Sequence, residues 1–386
     1  MEKTLLSIVL ILMFTKIGGI ISKKLKMPEV LGALIAGVLL GPMVLNLVQY
    51  NNDIKLLSNL GVIMLMFLAG LETNVEEFKK AGLSSFIIAV FGIIVPLALG
   101  TLSAYIFFND FWENIFVGVI LTATSVSITV ETLKELGKLN TRSGINILGA
   151  AVIDDILGLI LISIVLAVSQ ASGSSSGFEI LPIIFVFIKI ILFCVFSVLA
   201  VIYLPKHINK LIGSVRSNIT LFTFSLAFAM LIAFIAENLG IAAITGAYIA
   251  GLVLSSLQCK KYLEKNVRPI SSGFLSLVFF ASVGIEANLK GLNKEVILIT
   301  LVMFIIAVFG KLIGCGGAAR LLKMSKRESL QIGSGMISRG EVAIITANIG
   351  LQKGIISEEI FIPTLIVVIL TTIVTPVLLK IAFSNK

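Results

Sequence analysis

The sequence predicts an all-α, polytopic membrane protein of about 13 transmembrane helices in two inverted repeats, with broken helices crossing in its interior. Three observations carry this expectation. Hydrophobic residues make up 58% of the 386 and charged residues 13%, the mean hydropathy is +1.10, and apolar runs of about 17 to 25 residues, long enough to cross the hydrocarbon core, recur along the whole chain. Of the 30 lysines and arginines, 21 fall on one set of alternate loops and five on the other, which puts the rich side in the cytoplasm, the amino terminus outside and the carboxyl terminus inside. Finally, two blocks of sequence return at one fixed offset of 214 residues: Ala33-Leu-Ile-Ala-Gly-Val-Leu-Leu40 with Ala247-Tyr-Ile-Ala-Gly-Leu-Val-Leu254, and Gly70-Leu-Glu-Thr-Asn74 with Gly284-Ile-Glu-Ala-Asn288. The composition excludes a soluble domain, and a β-barrel would need short alternating segments instead of continuous apolar runs.

Taken in order, the first span (3–22) carries Lys16, is followed by Lys23 and Lys24 and lacks a small-x-small cleavage site, so it reads as a retained helix and not a signal peptide. Spans two (28–46) and three (54–71) hold the first copies of the repeated blocks; span four (82–108) is an apolar run between charged breaks. Span five (112–133) contains Thr122-Ala-Thr-Ser-Val-Ser-Ile-Thr129, an interior too rich in hydroxyls for a helix facing lipid. Span six (143–169) carries Asp154 and Asp155 in its middle, and span seven (179–203) is a linker whose Lys189 snorkels or sits at an interface. Span eight (218–237) opens the second half; spans nine (239–257) and ten (268–286) hold the second copies of the blocks. Span eleven (295–319) has Lys311 mid-run, span twelve (328–350) contains Gly333-Ser-Gly-Met-Ile-Ser-Arg-Gly-Glu341, and span thirteen (358–383) ends the chain. Equivalent spans lie seven helices apart, so they cross in opposite directions. That is the inverted repeat. Its hydroxyl- and glycine-rich members, spans five and twelve, are where unwound crossings are expected, because glycine tolerates irregular backbone and hydroxyls satisfy freed backbone groups beside a cavity.

A carboxylate at bilayer depth costs roughly 2.5–3.5 kcal/mol or more, so Asp154 and Asp155 mark an ion or proton path. As neighbours on a helix they point about 100° apart and take different roles. Oxygen ligands from one aspartate with Thr124 and Ser125 suit Na⁺, Li⁺ or a proton in competition, and competition for one site is the basis of exchange. Lys311 neutralises whichever aspartate the cation does not hold; it either releases a proton when cation binding breaks the pair, or serves as a structural bridge. Arg339 and Glu341 compensate half-helix ends or pair with each other in a polar funnel. No enzyme signature stands out: an intramembrane aspartyl protease needs its two acids on separate helices. Cys194, Cys259 and Cys315 fit neither a disulfide framework nor a metal site, no cofactor is expected, and the net charge of +9 follows from the cytoplasmic loops without a nucleic-acid partner.

Pro28-Glu-Val-Leu-Gly-Ala-Leu-Ile-Ala-Gly-Val-Leu-Leu-Gly-Pro42, Phe67-Leu-Ala-Gly-Leu-Glu72, Thr122-Ala-Thr-Ser125, Ile153-Asp-Asp155 and Arg339-Gly-Glu-Val342 together resemble the cation:proton antiporter-2 family, in its NapA/GerN-type branch of bacterial Na⁺/H⁺ antiporters. The resemblance implies an NhaA-like fold in the bacterial cell membrane, a homodimer in lipid, and an elevator-type antiporter serving pH homeostasis and sodium tolerance. It implies dimer-domain helices 1–3 within 1–81 and 8–10 within 211–290, core-domain helices 4–6 within 82–170 and 11–13 within 291–386, and a linker helix 7 at 171–210. It carries the ion-binding role onto Asp155, the lysine-paired role onto Asp154 and the partner role onto Lys311, and puts Thr124 and Ser125 at the helix crossing. A second acid found at the crossing in one relative is replaced here by Ser125, which leaves the ligand set open. K⁺/H⁺ exchange and a germination-associated cation transporter are the alternatives within the family.

Overall fold

A computed structural model describes residues 2–25, 27–42, 44–173, 180–212, 218–286 and 294–384. Among them no strand forms. The helices are α1 (Glu2–Lys24), α2 (Glu29–Leu40), α3 (Asn52–Glu72), α4 (Val75–Ala104), α5 (Phe111–Thr122), α6 (Val126–Glu135), α7 (Arg142–Gly173), α8 (Ile180–Ile212), α9 (Asn218–Asn238), α10 (Ala243–Leu254), α11 (Lys260–Ile270), α12 (Ser276–Ile285), α13 (Lys294–Lys311), α14 (Gly317–Leu321), α15 (Lys326–Gly335), α16 (Glu341–Gln352) and α17 (Glu358–Phe383). A single π-helical turn joins α11 to α12 (Ser271–Leu275), and another joins α13 to α14 (Leu312–Gly316). Ten segments among the described residues are long and apolar enough to cross a bilayer, and the shorter apolar helices Glu29–Leu40, Ala243–Leu254 and Val342–Leu351 join them. This is a multi-pass membrane protein.

Polar side chains start several helices where the apolar runs begin. Asn51 accepts from the Ile54 amide at the head of α3, Asp110 from the Glu113 amide at the head of α5, and Ser325 with Glu328 forms a reciprocal capping box on α15. Each satisfies amides that a helix start leaves without partners. The outward surface is apolar: Leu5, Met13, Leu192, Phe234 and Leu298 are all more than half exposed, as expected where the neighbour is lipid.

Packing falls into two groups. In one, α1 lies on α2, α2 on α12, and α3 on both α10 and α12, with α9 against α10. In the other, α4 packs on α5 and α7, α13 on α17 and α4, and α15 on α17 and the second π turn. The first group is knit by glycines that allow backbones to touch. A Cβ at Gly251 would strike the Phe67 carbonyl, and one at Gly70 the Tyr248 carbonyl; a Cβ at Gly37 would strike the Ala281 carbonyl, and one at Gly284 the Leu34 carbonyl. Adding 214 to each number of the α2–α12 contact on the α2 side, and subtracting it on the other, gives the α3–α10 contact with the same carbonyls facing the same glycines.

Two helices in the second group stop and restart at depth. The chain leaves helical geometry at 123–125, between α5 and α6, and at 336–340, between α15 and α16. The two interruptions begin 213 residues apart, within one residue of the offset that relates the repeated blocks.

Candidate functional site: a buried ion pair beside a helix crossing

The two unwound segments touch. The Ser125 amide donates to the Ser338 carbonyl at 2.7 Å, and the Thr129 hydroxyl donates to the Gly335 carbonyl at 2.7 Å. Gly340 lies so close to Ser125 that a Cβ there would sit 2.7 Å from the serine Oγ, so the crossing requires a residue without a side chain. Four half-helix ends therefore meet: the carboxyl ends of α5 and α15, and the amino ends of α6 and α16.

Arg339 answers the exposed carbonyls. It is 1% exposed, and its guanidinium donates to Met336 (3.2 Å) and Ile337 (2.9 Å) after α15, to Leu121 (2.8 Å) in the last turn of α5, and to Ala307 (3.1 Å) on α13. A positive charge at the carboxyl ends of two helices opposes the negative end of each dipole. The backbone of Arg339 is pinned by α17: its amide donates to Thr371 Oγ1 at 3.2 Å, and Thr372 Oγ1 donates to its carbonyl at 2.9 Å. Of the two residues expected in a polar funnel, Arg339 is thus bonded to carbonyl oxygens, and the side chain of Glu341 lies outside the described residues.

Asp154 and Asp155 sit mid-way along α7, 3% and 5% exposed. Lys311, the last residue of α13 before the π turn, donates from Nζ to both oxygens of Asp154, at 3.1 and 3.2 Å, with side-chain exposures of 0% and 2%. Without its partner either charge would be stranded in a dry interior. Gly92 on α4 makes room for the pair: a Cβ there would lie 2.6 Å from Cys315 Sγ, 3.5 Å from Lys311 Nζ and 3.9 Å from Asp154 Oδ1. Asp155 Oδ2 accepts from the hydroxyl of Thr245, on α10, at 3.3 Å.

Lys311 and Asp154 are therefore brought together as the sequence leads one to expect, and Ser125 lies at the crossing. The hydroxyls of Thr124 and Ser125 have local partners, the Thr122 carbonyl at 3.5 Å and Ser127 Oγ at 3.3 Å. Thr245, Gly92, Thr371 and Thr372 escape sequence reasoning, since a single threonine or glycine in an apolar helix carries no mark of its tertiary partner.

Two cavities flank these elements. One of about 430 Å³, lined by apolar side chains including Val152, Ile153, Ile156, Phe193 and Tyr248, lies among α4, α7, α8 and α10. The other, of about 440 Å³, lies at the end of the bundle where α6 terminates and has charged residues, Glu29, Glu131, Glu135 and Arg268, among apolar ones on its walls. There the Glu135 carboxylate caps the start of α2, accepting from the amides of Glu29 and of Val30, the latter at 2.9 Å. Lys134 on the same helix lies 3.8 Å from Glu72 of α3, which also holds Arg268 at 2.8 Å.

The family described as sodium/hydrogen exchanger, transmembrane, matches residues 9–384. The chain is 40% identical over 379 residues to the Na⁺/H⁺-K⁺ antiporter GerN of Bacillus cereus, covering 98% of this chain and 96% of that one. It is 36% identical over 377 residues to a Na⁺/H⁺ antiporter of Enterococcus hirae, covering 98% and 97%. Among solved structures, the sodium proton antiporter MjNhaP1 from Methanocaldococcus jannaschii at pH 8 superposes with a TM-score of 0.69 at 18% identity, over 98% of this chain and 96% of that one, a likeness of fold.

Proposed function

Since this chain belongs to the sodium/hydrogen exchanger family, we propose that it is a secondary active antiporter exchanging cytoplasmic Na⁺ for external protons, the two ions competing for the buried carboxylates of α7. It is a transporter and not an enzyme. Asp155 is the cation-binding and proton-binding group, Asp154 is held by Lys311, and Thr124 and Ser125 border the site from the crossing. The observation that carries the reading is the pair of adjacent acids buried in one helix, one of them neutralised by a lysine through both oxygens and the other accepting from a threonine hydroxyl. A protease would need both acids on one water from different helices; here they follow each other on α7 and turn to different partners.

The broken helices give this chemistry a place. Half-helix amino ends favour anionic groups and freed carbonyls favour cations, which is how antiporters built from inverted repeats hold ions near the midplane. The glycine contacts matched at an offset of 214 residues, and helix interruptions that begin within one residue of that offset, support the inverted repeat. The two packing groups support a division into a core of helices 4–6 and 11–13 and a scaffold of helices 1–3 and 8–10 that forms a homodimer, with helix 7 as linker. The core moves as an elevator, carrying Asp155 from one face of the membrane to the other. The basic loops orient the amino terminus outside and the carboxyl terminus in the cytoplasm. K⁺ as a further substrate, beside Na⁺ and Li⁺, is the second reading, favoured by the name of the Bacillus cereus relative.

The test is exchange in proteoliposomes, read as dequenching of a pH dye on addition of Na⁺, Li⁺ or K⁺, with and without an imposed voltage. The wild-type protein should respond to Na⁺ and the Asp155→Asn variant to none. Undiminished Na⁺-driven proton flux in that variant would overturn the assigned role.

A further inference from the structure

Threonines in this bundle generally turn their hydroxyls back on their own helix: Thr15 bonds the Ile11 carbonyl, Thr132 that of Ile128, Thr300 that of Val296 and Thr364 that of Ile360, each four residues back. Such back-bonding is the ordinary way for a hydroxyl to be satisfied in a membrane helix. Thr245 departs from it. It stands in the first turn of α10, where the residue four back precedes the helix, and its hydroxyl reaches a different helix to meet Asp155 Oδ2 at 3.3 Å. Both residues are buried, 1% and 5% exposed. The first turn of α10 is also the end of a helix that favours negative charge.

The two helices belong to different packing groups. α10 lies along α3 and α9, and α7 along α4, so this hydrogen bond spans the boundary between them. If the core slides past the scaffold, it must break and reform in every cycle.

We infer that Thr245 is a positioning residue that latches the cation-binding carboxylate to the scaffold: its hydroxyl holds Asp155 in the cation-free state, and a cation must displace it to bind. The inference rests on the antiporter reading above. It follows that the latch opposes binding, and that removing the hydroxyl while keeping the side-chain shape takes away one competitor for the carboxylate. At 3.3 Å this hydrogen bond to a charged group is longer than an ideal one, so the gain in apparent Na⁺ affinity should be modest, about 3- to 10-fold.

Thr245→Val removes the donor, Thr245→Ala does so with less bulk, and Thr245→Ser retains it. Two measurements are made on each: Na⁺-driven proton flux in proteoliposomes over a range of Na⁺ concentrations, and binding of radioactive Na⁺ to the purified protein. Thr245→Val, or Thr245→Ala should the valine variant fold poorly, should lower the KM for Na⁺ and tighten binding by that factor, with the maximal rate within about twofold of wild type; Thr245→Ser should match wild type in both. A raised KM would mean that the hydroxyl is a ligand of the bound cation, and an unchanged KM that it only fills space; either result overturns the latch. Absence of flux from the wild-type protein would instead refute the antiporter reading, and the binding comparison would still decide the role of Thr245.

Discussion

Replacing Lys311 by methionine keeps most of the side-chain volume and removes the charge. Asp154 is then left in the interior with neither of its bonds to Nζ, at 3.1 and 3.2 Å, and with 2% of its side chain in reach of solvent. Burial this complete leaves no solvent screening to soften the loss, and breaking one side of such a pair costs about 3–5 kcal/mol. Domains of 150–250 residues lose about 2–4 °C of Tm per kcal/mol, so a longer chain should lose about 5–10 °C. The assay is thermal unfolding of the purified protein in detergent, followed by loss of the monodisperse peak on size exclusion. Asp154→Asn alone should cost a comparable amount, because it leaves an ammonium without its countercharge. The double variant Lys311→Met with Asp154→Asn should recover about half or more of the loss, since no charge is then stranded. Additive losses in the double variant, or singles as stable as wild type, would refute the claim that the pair is held together by mutual neutralisation in a dry site.

Arg339→Lys should fold poorly even though the charge is kept. One ammonium cannot reach four carbonyls on three elements, and leaving two of them unpaired should cost about 2–4 kcal/mol, read as reduced yield of detergent-stable protein. Gly92→Ala should drive its methyl against Cys315 Sγ and disturb the ion pair, at a cost of about 1–3 kcal/mol and a measurable fall in flux; adding Cys315→Ala should restore much of both. Gly251→Leu should separate α10 from α3 and abolish the folded protein, and Gly37→Leu should act alike on α2 and α12, both scored by expression and size exclusion.

The class of protein and the position of the charged residues buried at α7 are legible in the sequence because they depend on composition and cost. An apolar run shows as a span whatever packs on it, and Asp154, Asp155 and Lys311 are conspicuous because charge is expensive there. The crossing is legible for a related reason: Thr122 to Thr129 and Gly333 to Glu341 are too polar or too glycine-rich for uninterrupted helices in lipid. What the guanidinium of Arg339 does is legible in kind and not in detail. Compensation of half-helix ends is expected from the sequence, but the particular carbonyl oxygens it bonds exist as unpaired groups only once the helices have broken. Thr245 is hidden for the same reason as Gly92. The partner is a matter of tertiary geometry, and a lone threonine in Ala243-Ile-Thr-Gly-Ala247 has nothing local to announce it.

The glycine crossings say something about origin. Gly37 against Ala281 and Gly251 against Phe67 are one contact made twice with the halves exchanging roles, as are Gly284 against Leu34 and Gly70 against Tyr248. Two half-length chains of opposite orientation, related by a two-fold axis in the plane of a bilayer, would make such a contact twice by symmetry, with no selection on each copy separately. Fusing the genes would preserve both copies while freeing each half to diverge elsewhere, so that one could acquire the acids and the other the lysine.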